Sequence, residues 1–284
     1  MSDRHEVGVL LVGGHESDNG ADLVPIAQAF QEEMAGQGYL VMATAPGRFL
    51  HVRAERLLDQ CERVVVVPMT YGRNPNMVAD AAKTLKWLAR KAPDRLALSE
   101  PFSDVGLLGA WLRTTANEVA KANPDAVLLV AAPVSNPFDE AELHRVVYLV
   151  KTHGGLEVAV PVIGQVEEIN RVADEQALLG RPKSALVFAG FTADAPEGLA
   201  EGIIFAGPLM AQGGISRILK GRVEEALHLL SHGESGIESG LMADHDHGYA
   251  HSHAFEESQG HEHPHSHTHS HPHTHTHTHG HHHH

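Results

Sequence analysis

The chain reads as a parallel α/β protein made of two copies of one unit. Three observations predict this. Short, near-continuous β-branched runs such as VVVV at 64–67 alternate with segments whose apolar residues recur at helical spacing. Strands of that composition are buried on both faces, as in a parallel sheet covered by helices. The same order of elements occurs twice, and short stretches match in the same order: LLVGGHES (10–17) lies over LLVAAPVS (128–135), and EPFSDVGLLGAWL (100–112) over GPLMAQGGISRIL (207–219). Each unit is expected to hold a four-stranded parallel sheet, and the two are expected to face each other across a cleft. Ligands of such sheets collect outside the carboxyl ends of the strands.

In the first half, strands are expected at 7–13, 39–45, 63–69 and 96–99, and helices at 21–36, 49–60, 75–91 and 105–122. Gly36 and Gly38 supply a stop for the first helix, and Pro75 starts the third. The second half repeats the pattern: strands at 126–132, 157–164, 185–190 and 203–206, and helices at 139–152, 167–179 and 214–230, with a helical turn at 198–201. The expected organisation is a first repeat over 1–122, a second over 123–232 and a tail without a fold of its own over 233–284.

Composition narrows the function. The formal charge of −15 has the wrong sign for a phosphate-backbone binder, and aromatic residues are few, so no nucleic-acid partner is expected. Cys61 is the single cysteine, which excludes an intrachain disulfide and a cysteine-based metal cluster. It reads as a small buried apolar residue. No apolar run has the length of a membrane span and the N-terminus carries no signal-peptide pattern, so the expected setting is cytoplasmic, without membrane contact.

The tail holds 18 of the 25 histidines, mostly as His-x-His. Alternate residues of an extended chain share a face. Imidazoles at that spacing can converge on a borderline ion such as Ni²⁺, Co²⁺, Zn²⁺ or Cu²⁺. His263, His265, His267, His269, His271, His273, His275 and His277 are the candidate ligands there. The terminal HHHH has the form of a purification tag; the long HTHTHTHTH and HPHSHTHSH runs do not. Many sites on one segment suit storage or delivery of metal.

A second candidate follows the first strand. In VGGHESDNGAD (12–22), His15 stands at a strand's carboxyl end, behind a Gly pair that permits close backbone approach. The segment is neither GxGxxG nor a phosphate-binding GK[ST] loop, so nucleotide binding is weakly supported. His15 is either a ligand or an exposed loop residue. The matched position in the second copy is Pro133, which cannot bind metal, so the first copy is the chemically competent one.

These segments, taken together, resemble the class II tetrapyrrole chelatases, in particular the long, two-repeat sirohydrochlorin cobaltochelatase family. VGGHESDN is similar to that family's strand followed by GHGSRD, which puts His15 on the metal-binding histidine. RFLHVRAERLL (48–58) is similar to its FLE-containing helix start, and VVVVPMTYGRNPNMVAD (64–80) to its Val-rich strand and His-x-x-x-Asp segment. ALSEPFSDVGLLGAWL (97–112) and VSNPFDEAELHRVVYLV (134–150) are similar to its later segments. Asn76 stands where the family's second histidine falls, and Asp18 where GHGSRD has Arg. The resemblance covers nearly all of residues 7–230, and His-rich segments also occur in the family.

The resemblance implies a chelatase-like pair of flavodoxin/Rossmann-type units and insertion of Co²⁺, or alternatively Ni²⁺ or Fe²⁺, into a sirohydrochlorin-type tetrapyrrole, with no bound redox cofactor. It puts His15 on the metal ligand, which can also accept a proton; His51 stands where the family's FLE has glutamate, and because it follows a parallel strand as His15 does it is the candidate second ligand in the same cleft, with Glu16 an auxiliary carboxylate. A neutral imidazole suits both tasks because its pKa lies near working pH. The substrate is a polycarboxylate, and Arg48, Arg53, Arg56 and Arg73 are candidate guanidinium partners or plain surface charges. Tyr71 and Met69 are candidate substrate wall or core. A monomer is expected, because short family members pair two copies to make the same arrangement. Two other readings stay open: a metal-storage or metallochaperone protein that keeps the fold without catalysis, and an unrelated α/β binding protein.

Overall fold

A computed structural model describes residues 4–243; the tail histidines proposed as ligands lie outside the described residues. The first repeat contains β1 (His5–Gly13), a single-turn helical segment (His15–Gly20), α1 (Leu23–Glu33), β2 (Tyr39–Thr44), α2 (Arg48–Gln60), β3 (Cys61–Met69), α3 (Pro75–Ala89), β4 (Leu96–Leu98) and α4 (Val105–Ala122). The second contains β5 (Val127–Ala132), α5 (Pro137–His153), β6 (Ala159–Ile163), α6 (Val166–Leu178), β7 (Ser184–Phe188), β8 (Ile203–Phe205) and α7 (Gln212–Ser231), followed by α8 (Ile237–Leu241).

The strands form two four-stranded sheets, ordered β2-β1-β3-β4 and β6-β5-β7-β8, with every pairing parallel. In the first sheet Val9 pairs with Val41 on one side and Val65 on the other. The alternation of side chains along each strand sorts the core into layers. Val7, Val9 and Leu11 of β1 pack with α1 on one face, while Leu10 and Val12 pack with α2 and α3 on the opposite face. Cys61 is buried in that second layer against Gly8 and Leu57, as a small apolar residue.

The terminal helices of the two repeats are exchanged. α4 packs on α5 and β7 of the second repeat, and α7 packs on β3, β4 and α1 of the first. Leu219, Val223 and Leu230 of α7 are buried in the same core layer as Val65 and Val67 of β3. At roughly 1.5–3 kcal/mol for each buried aliphatic side chain, α7 contributes on the order of 5 kcal/mol of gross burial, comparable with the net stability of a whole domain. One continuous apolar layer therefore runs through both halves.

The structure differs from expectation at several places. No helix joins β7 to β8: residues 198–201 form turns, because Pro196 and glycines at positive φ break helical continuity. α6 consequently stands without a counterpart of α3 over the second sheet, and Leu199, Ile203 and Phe205 close that layer. α1 starts at Leu23 because Asp18, Asn19 and Gly20 all take positive φ, a left-handed turn that short polar side chains tolerate. α5 starts two residues before the expected boundary, with Asn136 accepting the N–H groups of Phe138 and Asp139. The structureless segment expected from 233 instead begins with an ordered stretch. Leu98 N–H donates to Ser235 O at 2.8 Å, and Ile237 is buried among the α3 side chains. Among the described residues no helix is long and apolar enough to cross a membrane.

Candidate metal and substrate site

The carboxyl ends of the two sheets meet, and the loops after β1 and β3 of the first repeat touch those after β5 and β7 of the second. The GGHES segment turns sharply after β1: Ser17 N–H and Asn19 N–H both donate to Gly14 O. A Cβ on Gly14 would collide with the side-chain amide of Asn74. That amide caps α3 through Oδ1, which accepts from Met77 N–H at 3.2 Å, so its Nδ2 faces the imidazole of His15 and lies 3.0 Å from Nδ1. Because an amide nitrogen only donates, Nδ1 is the acceptor and the ring proton of neutral His15 sits on Nε2.

Nε2 lies 2.8 Å from Oδ2 of Asp139, whose side chain is 1% exposed, against 15% for His15. The approach is off the N–H axis, so this is a close contact in which Nε2 lacks an aligned hydrogen-bond partner. Asp139 is the third residue of α5. Its Oδ2 also accepts from Ser135 N–H at 2.9 Å, and its Oδ1 lies 2.8 Å from Nη2 of Arg73. Burial alone would raise its pKa; the His15 contact, the Arg73 charge and the Ser135 N–H together overcome this and lower it.

Glu16 is fully buried beside His15. Thr70 donates its hydroxyl to Oε1 and Tyr71 N–H donates to Oε2 at 2.9 Å. Burial raises its pKa, and the opposing pull of Arg73, Thr70, Tyr71 and His15 does not cancel that rise. The Glu16 backbone ties the halves together: its carbonyl accepts from Phe191 N–H at 2.9 Å, and a Cβ on Gly190 would stand 2.5 Å from that oxygen.

Beside this joint lies a cavity of about 410 Å³. His15, Glu16, Asp18, Asn19 and Asp22 line it from the first repeat. Gln165, Phe188, Gly190 and Thr192 line it from the second, with no Lys or Arg among the lining residues. Asp22, half-buried, accepts from the Thr192 hydroxyl at 3.1 Å. Burial raises its carboxyl above the usual range, and the nearby Asp18 and Asp194 charges add to the rise. The titratable groups of the wall are therefore acids and one imidazole.

The expected site residues separate into two groups. His15 and Glu16 come together at the cavity. Arg73 and Tyr71 come to the same joint but are sealed inside it. Arg73 is 0% exposed, donating from Nη1 to Ala189 O at 3.1 Å and from Nη2 to Pro133 O at 3.0 Å, so it is a buried clamp between repeats. Tyr71 stacks on Phe191 with ring centres 4.6 Å apart and meets Phe102 and Trp111 edge-on, a core position. Met69 is likewise core. His51, Arg48, Arg53 and Arg56 are not brought to His15. They lie along α2, whose buried side carries Leu50, Ala54 and Leu57. His51 is 39% exposed, 3.4 Å from Glu55, and lines a separate depression with Arg48, Trp87 and Lys91. The expectation that two parallel strands would deliver His51 and His15 to one cleft is corrected by the helix phase of α2. Asn76 does not line the cavity either; two positions earlier, Asn74 is the residue that meets His15.

Asp139 is the residue that sequence reasoning missed. Its signal was the NPFD start of α5, readable as a helix cap but not as a partner of His15. Among the described residues no group of three or more His, Cys, Asp or Glu gathers where it could hold one metal ion.

No family model matches the chain, and no curated protein matches it by sequence. Among solved structures it is similar to the sirohydrochlorin chelatase SirB from Bacillus subtilis subspecies spizizenii in complex with cobalt, with 12% identity, a TM-score of 0.51, and 79% of this chain and 96% of that one covered. It is also similar to SirB from Bacillus subtilis with Fe³⁺, with 12% identity, a TM-score of 0.54, and 81% and 98% covered. At that identity the likeness carries the fold: the chain is an α/β protein with two chelatase-type units, each built on a four-stranded parallel sheet.

Proposed function

We propose that the protein is a metal chelatase that inserts a divalent metal ion into a sirohydrochlorin-type tetrapyrrole, with Co²⁺ the first candidate and Ni²⁺ or Fe²⁺ the alternatives. The observation that carries this reading is the setting of His15: at the carboxyl end of β1, on the wall of the cavity between repeats, with Nε2 unaligned to any partner and a buried carboxylate 2.8 Å away. Asp139 stands at the ligating nitrogen itself, so its carboxylate is placed to share the ion with Nε2 and to balance the ion's charge. In this reading the ring proton of His15 moves to Nδ1, with the Asn74 amide turned so that its oxygen accepts it, and Nε2 takes the metal. The same imidazole then accepts a pyrrole proton as the metal moves to the macrocycle. Asp139 stabilises the imidazolium so formed, and Arg73 keeps Asp139 ionised. Glu16 holds the Thr70–Tyr71 loop.

A second reading, a chelatase-fold metal carrier without catalysis, is favoured by the cavity wall. Glu16, Asp18 and Asp22 suit a cation, and no Lys or Arg stands there to meet the substrate's carboxylates. The histidine tail fits either reading.

Absorbance of sirohydrochlorin with Co²⁺ tests the two. Intact protein, a chain ending at Ala243 and His15→Ala are compared with the spontaneous reaction. Acceleration that survives removal of the tail and disappears in His15→Ala supports the chelatase. No acceleration, with Co²⁺ still bound by the intact chain, leaves the carrier.

A further inference from the structure

His228 and His232 lie one turn apart near the end of α7, on one face of the helix and both exposed. Their ring centres are 4.8 Å apart and their planes cross at 76°. Neither ring has a hydrogen bond or ion pair among the described residues. We propose that this pair is a two-imidazole metal site, separate from the His15 cavity, which takes a borderline divalent ion such as Ni²⁺, Co²⁺ or Zn²⁺.

Histidines at i and i+4 stand one above the other on a helix and can chelate a single ion. With metal–nitrogen bonds of about 2.1 Å, two imidazoles sharing one ion put their ring centres about 5 Å apart. The observed spacing meets that requirement without a change of backbone. Neither ring is held by an acid or a carbonyl among the described residues, so both nitrogens of each remain open to a ligand. The site offers two ligands, so its other coordination positions belong to water or to a mobile donor. His245, the first tail histidine, follows His232 by thirteen residues. The helix bearing it packs on β3 and β4, so a bound ion also bridges the last turn of an element that the first repeat needs.

The test is the melting temperature of the intact chain with and without Ni²⁺, for wild type, His228→Asn, His232→Asn and, as a control, His144→Asn at an exposed position of α5. Ligands that bind only the folded state raise the melting temperature. A chelate needs both rings, so each single substitution on α7 should remove the share of the Ni²⁺-induced rise that the pair supplies, on the order of 2–4 °C, while His144→Asn keeps it. The readout compares loaded and unloaded melts of the same chain, so it stands even where a substitution shifts the unloaded melt. An equal rise in wild type and both α7 variants, or no rise in wild type, overturns the site. The chelatase is read by sirohydrochlorin absorbance and this site by the melt, so failure of one is distinguishable from failure of the other.

Discussion

His15 of the first repeat and Asp139 of the second face each other at 2.8 Å across the joint between the two sheets. The imidazole and the carboxylate that directs it thus come from different copies of the duplicated unit. Pro133 replaces the histidine in the second copy, yet that copy supplies the acid six residues later.

Asp139→Asn should therefore weaken metal use at His15 and, because it leaves the buried Arg73 charge without its carboxylate, also lower stability. Loss of a group that supports a metal's histidine ligand costs about 10–100-fold in metal affinity or activity. Chelation rates, with Co²⁺ titrated, measure this. An unchanged rate would show that Asp139 does not orient His15.

Arg73→Met should be among the most destabilising single changes in the chain. It removes donors to Pro133 O and Ala189 O and strands the buried Asp139 charge. Breaking such a pair costs about 3–5 kcal/mol, whereas replacing both partners by apolar groups recovers much of that. Urea unfolding of Arg73→Met and of Arg73→Met with Asp139→Leu checks both statements; a loss below about 1 kcal/mol in the single variant would refute the clamp.

The two buried carboxylates should pull stability in opposite directions with pH in the metal-free protein. The Glu16 carboxyl is raised above 4.5 by burial, so the folded state holds its proton more tightly than the unfolded chain. Its contribution is full below 4.5 and fades as pH climbs through the higher folded-state value. Glu16→Gln should flatten that decline. The Asp139 carboxyl is held below 3.8, so its contribution is present above 3.8 and is lost as pH falls through the lower folded-state value. Asp139→Asn should flatten the acid limb. Unfolding free energies from pH 3 to 8 for the three proteins decide the matter, and parallel curves would contradict both assignments.

Ile237→Ala should destabilise the first repeat although residue 237 follows the second in sequence. The side chain is 3% exposed and packs in the layer formed by α2, α3 and β4. Truncation of such a residue costs about 2–5 kcal/mol. Denaturant midpoints measure the effect; a wild-type midpoint would mean that α8 does not hold to this surface.

Much of the architecture was legible in local pattern. Val64–Val67, the Asn74–Pro75 helix start and the repeated order of elements each report on the chain around them, and each was met in the structure. Exchange of α4 and α7 was not legible, because the periodicity of a helix shows that it has an apolar face and not which sheet receives it. The same limit hid the site. His15 was readable from its place after β1, but Asp139 looks like an ordinary acid in the first turn of a helix. His51 looked equivalent to His15 until the rotation of α2 set its side chain beside Glu55. Arg73 was read as a substrate contact because charge is visible in sequence and burial of a charge is not.

The exchange of α4 and α7 also bears on what a cut in the backbone would do. Covalent order and spatial order disagree: residues before the 123–126 connection carry part of the cover for the second sheet, and residues after it carry part of the cover for the first. Hydrolysis of a peptide bond in that connection would not free two self-sufficient bodies. It would yield two fragments, each holding the other's missing wall, and their reassembly from separate polypeptides would be complementation in the strict sense.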